Sequence, residues 1–175
     1  MMLTHRKLVA LGARWMKRMG YVVVITELGG TGREEPDVIG WNAGGNCTVL
    51  ECKVSRADFL ADRKKAYRRD LCLGMGMTRL FVVPAGLVGV DDLPGMWGLT
   101  EVGDKGRMQT TVNAMSCGNQ RNVIGETRVL LGALRRIGQR CPPGVNVKAY
   151  SFKVAVLNNG GKAKATIGVG EEDDD

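Results

Sequence analysis

Pro36-Asp37-Val38-Ile39-Gly40-Trp41 and, after a glycine turn, Thr48-Val49-Leu50-Glu51-Cys52-Lys53 form the stretch from which the fold follows. Each run is short and rich in strand-forming residues. The segment between them, Asn42-Ala43-Gly44-Gly45-Asn46, is turn chemistry, so the pair reads as a β-hairpin. Side chains alternate between the two faces of a strand, which puts Glu51 and Lys53 on one face and Leu50 and Cys52 on the other. The hairpin brings Asp37 beside Glu51.

Two carboxylates converging on one point repel each other unless a cation lies between them. Hard oxygen donors select Mg²⁺ or Mn²⁺ over zinc. A neighbouring lysine can orient or help deprotonate a metal-bound water, and it offsets the charge that grows on a phosphate under attack. Asp37, Glu51 and Lys53 are therefore candidate residues for hydrolysing a phosphodiester. In the plainer reading, Asp37 opens a strand while Glu51 and Lys53 form an exposed ion pair. The short motif is open to both, and its context decides.

Charge supplies part of that context. The 175-residue chain carries a net +7, yet residues 171–175 are all acidic, leaving +12 on the remainder. A basic body with an acidic end suits a polyanionic partner, most simply nucleic acid. A basic protein without such a partner is the alternative. Five cysteines without CxxC spacing and a single histidine argue against a disulfide framework or a structural zinc site, and point to a reducing, cytoplasmic setting. No apolar run reaches membrane-spanning length, so no membrane association is expected.

Around the hairpin, residues 4–19 read as an amphipathic helix with Leu8, Leu11, Trp15 and Met19 inward and Gly20 ending it. Its basic positions suit a phosphate track or a solvated face. Residues 21–26 read as a buried strand. Ser55-Arg56-Ala57-Asp58 is a capping box opening a helix that runs to about Arg69. That helix starts just past Lys53 and carries Arg63, Lys64, Lys65 and Arg68, candidate phosphate contacts. Ion pairs with Asp58 and Asp62 on a solvated helix are the competing use. Residues 79–84 and 96–102 read as two further strands, and a crossover helix before the first of them predicts a right-handed βαβ unit.

Pro-Asp, spacer, Glu-x-Lys, set in the order helix, three strands, helix, strand, resembles the PD-(D/E)XK nuclease superfamily. Glu51-Cys52-Lys53-Val54-Ser55 followed by Asp58-Phe59-x-x-Asp62-x-Lys64 looks like the branch of MmcB-type DNA-repair proteins and short phage-encoded relatives. The segments 79–84 and Leu93-Pro94-x-x-Trp97-Gly98-Leu99 look like the phage-type members. The likeness covers roughly residues 1–107. It implies an α/β fold with a restriction-endonuclease-like αβββαβ core, a mixed sheet flanked by helices. It also implies a Mg²⁺- or Mn²⁺-dependent DNA endonuclease acting in phage or bacterial replication, repair or recombination, in the host cytoplasm if phage-encoded. Asp37, Glu51 and the backbone carbonyl of Cys52 would hold the metal. Many relatives add an acid from the first helix. This helix has none, so a third acidic ligand would have to be Glu27 or Glu35. The superfamily also contains catalytically dead members, and a non-catalytic nucleic-acid-binding accessory protein is the alternative function.

Beyond the core, residues 108–157 are expected as a C-terminal extension. Residues 107–119 are polar without a clear period, 121–140 read as a helix weakened by three glycines, and 145–157 read as a strand. The helix and strand have two uses open to them, packing on the core or joining two copies as a homodimer. Residues 158–175 read as a disordered, acidic-ended tail, a solubilising end or a contact for a protein partner.

Overall fold

The computed structural model describes residues 3–30, 33–137 and the strand at 147–149. Helix α1 (His5–Arg18) opens at Thr4, whose hydroxyl accepts from the Lys7 amide, an N-cap that satisfies one otherwise orphaned donor. Gly20, at φ 86°, turns the chain out of the helix. Strands β1 (Tyr21–Thr26), β2 (Val38–Asn42) and β3 (Cys47–Cys52) then form an antiparallel meander in which Val38 pairs with Leu50. The β2–β3 turn is tied by Asn42, whose side-chain oxygen accepts from the Gly44 and Asn46 amides.

Helices α2 (Arg56–Asp62) and α3 (Ala66–Arg69) lead into β4 (Thr78–Pro84), which runs parallel to β3; β5 (Gly98–Val102) runs parallel to β4. Strand β6 (Met108–Val112) closes one sheet edge against β5. After helix α4 (Val123–Ile137), β7 (Val147–Ala149) pairs antiparallel with β1 on the other. The order across the seven-stranded mixed sheet is β6-β5-β4-β3-β2-β1-β7.

The sheet is covered on both faces. Leu8, Leu11 and Met16 of α1 pack on Val24, Val38, Leu50 and Cys52 on one side. On the other, Phe59 of α2 and Val129 and Ala133 of α4 pack on Ile39, Val49 and Phe81. Central β3 is consequently buried throughout, Thr48 and Glu51 being its two polar residues. Gly40 is required by packing: a Cβ there would lie 2.8 Å from Met16 Sδ and 3.0 Å from the Val23 carbonyl oxygen.

Several expectations are corrected. Met16, not Met19, is the inward methionine of α1; Met19 is 61 % exposed. The single helix expected over 55–69 breaks after Arg63, because Lys65 adopts an extended backbone and caps α3. The polar stretch after 107 contains β6. Together with α4 and β7, it makes the expected extension part of the same sheet and the same core. The helix expected over 121–140 is observed as Val123–Ile137, and of the strand expected over 145–157 only Val147–Ala149 is described. The rest of these expectations, and the expected tail at 158–175, fall outside the described residues.

Candidate functional site

Antiparallel pairing of β2 with β3 carries the residue before β2 to the end of β3. The Cys52 amide accordingly donates to Asp37 Oδ2 at 2.7 Å. This one bond fixes the Asp37 carboxylate beside Glu51 and Lys53. Lys53 follows β3 directly, its amide donates to the Val82 carbonyl of β4, and its Nζ lies 3.5 Å from Glu51 Oε2. The three residues therefore meet at the carboxyl end of β3, beside the parallel strand β4, where open α/β sheets commonly bind ligands. Asp37 keeps part of its carboxylate at the surface, while Glu51 and Lys53 are buried.

A charged network lies behind them. Arg68 is 2 % exposed and touches three carboxylates: Glu34 Oε1 at 2.5 Å, Glu51 Oε1 at 2.6 Å and Asp62 Oδ2 at 2.7 Å. Asp62 Oδ1 also faces Lys65 Nζ at 2.6 Å and Lys53 Nζ at 3.6 Å. Glu34 takes a further bond from the Met75 amide at 2.6 Å. Trp97 supports the assembly from the core side. Its ring lies 5.1 Å from the guanidinium carbon, and its Nε1 donates to the Arg68 carbonyl at 3.2 Å.

Burial sets the electrostatics. It pushes the Glu51 carboxyl up to about 8, against the pull of Arg68 and with the help of the Asp37 charge. Burial works to lower Lys53, but Glu51, Asp62 and Asp37 prevail and hold its ammonium above the ordinary lysine range. Lys53 is thus a permanent cation, suited to orienting water and stabilising negative charge rather than to removing a proton. Burial likewise raises Glu34 despite Arg68. For Asp62, burial works upward but Arg68 and the hydrogen bonds from Arg68 and Lys65 keep the carboxyl below the usual aspartate range.

The remaining candidates separate clearly. Arg68, expected on an exposed basic face, is instead buried among acids, so it has no free edge for a phosphate. Arg63 is half-buried and donates to the Asp92 carbonyl, Lys65 is committed to Asp62, and Lys64 is exposed. Glu35 turns away and accepts from the Gly30 amide. Glu27 sits nearer: its amide donates to the Asp37 carbonyl, and Oε1 lies 3.8 Å from His5 Nδ1.

Two residues escaped sequence reasoning. His5, the first residue of α1, places Nε2 3.2 Å from Asp37 Oδ1, so the helix that lacks an acid delivers an imidazole. Glu34 lies deep in the network, and nothing in Arg33-Glu34-Glu35-Pro36 distinguishes it in sequence from its exposed neighbours. Among the described residues no group of three His, Cys, Asp or Glu side chains is set to hold a metal ion. A cation here would rest on Asp37, Glu51, the Cys52 carbonyl and water, a donor set that fits Mg²⁺ or Mn²⁺. Glu51 Oε1 is taken by Arg68 at 2.6 Å, so the oxygen this acid would offer a cation is Oε2, 3.5 Å from Lys53 Nζ.

Fold and site together define an α/β protein whose mixed sheet, flanked by helices, carries a buried cluster of acids and cations. No family model matches the chain, and no curated protein does. Among solved structures it is similar to SPO1766 from Silicibacter pomeroyi, a protein of unknown function. The identity is 26 %, the TM-score 0.57, and the match covers 78 % of this chain and 91 % of that one. No helix among the described residues is long and apolar enough to cross a membrane.

Proposed function

We propose that this protein is a Mg²⁺- or Mn²⁺-dependent DNA nuclease of the PD-(D/E)XK type, serving phage or bacterial replication, repair or recombination. The observation that carries the reading is the meeting of Asp37, Glu51 and Lys53: one carboxylate pinned to the Cys52 amide, the other 3.5 Å from the lysine ammonium. The element order from α1 through β4, with an antiparallel meander passing into a parallel pair, agrees with the αβββαβ arrangement implied by the resemblance.

A bound divalent cation would polarise the scissile phosphate and supply an activated water at neutral pH. The chain's own residues have separate tasks. Asp37 and Glu51 provide the oxygen donors, and the Cys52 amide holds Asp37 in place. Lys53, kept protonated by its acidic neighbours, orients the attacking water and stabilises charge on the phosphate. Arg68 positions Glu51 through Oε1 and leaves Oε2 directed toward Lys53.

A second reading has one observation in its favour. Arg68 already occupies Oε1 of Glu51, which is 2 % exposed, as suits a non-catalytic nucleic-acid-binding protein that retains the fold. A panel of single-stranded, duplex, nicked, flapped and four-way DNA, incubated with Mg²⁺, Mn²⁺ or EDTA, separates the two. Metal-dependent cutting is expected. Binding without cutting under every metal would leave the accessory reading standing.

A further inference from the structure

Helix α1 does not seal the sheet at its β1 side. A cleft of about 340 Å³ lies between the two, floored by Val9, Ala13 and Val24 and overlooked by Arg6, Arg14 and Lys17. Positions 6, 10, 13, 14 and 17 share one face of a helix with 3.6 residues per turn, so the cations form a row rather than a scatter. Over the eleven residues from Arg6 to Lys17 that row extends roughly 16 Å. Arg6 and Arg14 are exposed and make no ion pair among the described residues. At one end the cleft reaches Glu27, whose carboxylate lies beside His5 and, through it, Asp37.

We infer that this cleft binds a single polynucleotide strand. Arg6 and Arg14 contact phosphates of one backbone, the apolar floor meets its sugars, and the strand is led toward Asp37. The destination rests on the nuclease reading, whereas the binding does not. The cations stand on one wall only, while β1 contributes Val24 and Thr26 to the other. One row of positive charge neutralises one backbone; a duplex would present a second with nothing opposite it. The positive wall tracks a backbone as the charged grooves of single-strand binders do, and with no aromatic residue in the lining the grip is on phosphates rather than on stacked bases. Of the cations that sequence favoured, Arg63, Lys65 and Arg68 are engaged by Asp92 and Asp62 and Lys64 alone stands exposed, whereas α1 presents both Arg6 and Arg14.

The test is fluorescence-anisotropy binding of a labelled single-stranded DNA oligonucleotide in EDTA across a salt series, so that no cleavage is needed. Proteins compared are the wild type, the double variant Arg6→Ala/Arg14→Ala, and Arg128→Ala/Arg135→Ala. The last removes the same charge from α4, on the opposite face of the sheet. Ala10→Asp, at an exposed position of the α1 face, places a repelling charge beside the cleft without removing a side chain.

Losing two phosphate contacts should reduce the slope of log K against log salt by about 1.4. The α4 double variant should match the wild type, and Ala10→Asp should weaken binding. Equal losses in both double variants, no loss in either, or tighter binding of the corresponding duplex would overturn the proposal. Groove-dependent binding without cutting under Mg²⁺ or Mn²⁺ would sustain the groove and defeat the nuclease. Metal-dependent cutting with groove variants that bind normally would do the reverse.

Discussion

Arg68 Nη2 lies 2.6 Å from Glu51 Oε1, and both side chains are fully enclosed by the fold. The same guanidinium holds Glu34 and Asp62, so a residue on the short helix α3 fixes the acid at the end of β3. Removing it strands Asp62 as a buried carboxylate and leaves Glu34 and Glu51 without their shared hydrogen-bond donor. Arg68→Met should therefore destabilise the protein by about 3–5 kcal/mol, with Arg68→Lys intermediate because an ammonium cannot span three partners. Urea unfolding checks this; a variant as stable as the wild type would show that the network has no structural weight.

Asp62 and Glu51 give opposite pH signatures. The folded Asp62 carboxyl lies below its unfolded value, so its stabilisation is present above the ordinary aspartate range and disappears as the pH falls from that range through the lower folded value. Glu51, raised to about 8, binds its proton more tightly when folded. Its contribution is present below the ordinary glutamate range and is lost as the pH rises through about 8. Unfolding measured in EDTA should show stability falling at both extremes. Asp62→Asn should flatten the acid limb alone, and an unchanged acid limb would remove Asp62 from the explanation.

His5 should matter to cation binding without being essential to it. Its Nε2 lies 3.2 Å from the Asp37 oxygen opposite the one bonded to Cys52, so it restrains the carboxylate from the other side. Loss of such an outer partner typically costs 10–100-fold in metal affinity. Calorimetric titration with Mn²⁺ should find His5→Ala about 10-fold weaker, with His5→Gln recovering part of the loss. Undiminished affinity in His5→Ala would separate this histidine from the site.

Gly98 opens β5, just before the ladder to β6 shifts register between Leu99 and Thr100. A Cβ there would stand 2.5 Å from the Ala114 nitrogen, 2.6 Å from the Val112 carbonyl oxygen and 2.5 Å from Leu80 Cδ2. Two of these atoms are backbone and cannot swing aside. Gly98→Ala should cost about 3 kcal/mol, read as a lowered midpoint in urea. A neutral outcome would mean that the edge strand β6 yields freely.

The hairpin was legible because two strand-forming runs enclosed a turn segment, and the period of two then set Glu51 and Lys53 on one face. Asp37 followed from the pairing register. Helix α1 was legible from its period, although Met16 and Met19 differ by too little in sequence for their burial to be separated there. The break between α2 and α3 was not legible. Arg63-Lys64-Lys65 are good helix formers, and the long-range bonds of Arg63 to Asp92 and of Arg68 to Glu34 and Glu51 accompany the break. The same contacts hid the role of Arg68, since a run of cations reads as a solvated face until its acidic partners arrive from Glu34 and Glu51. Strand β6 was missed because its edge position exposes Gln109, Thr110 and Thr111, which leaves no apolar alternation to read.

The most direct test of the central claim is the single-turnover rate of DNA cleavage in Mn²⁺ by the wild type and by Lys53→Met, which keeps the side-chain volume and removes the charge. The wild type should cut, and the variant should be slower by on the order of 10²–10³-fold at unchanged DNA affinity, because Lys53 acts on charge that develops in the transition state. Equal rates in the two proteins would contradict the assignment of the site.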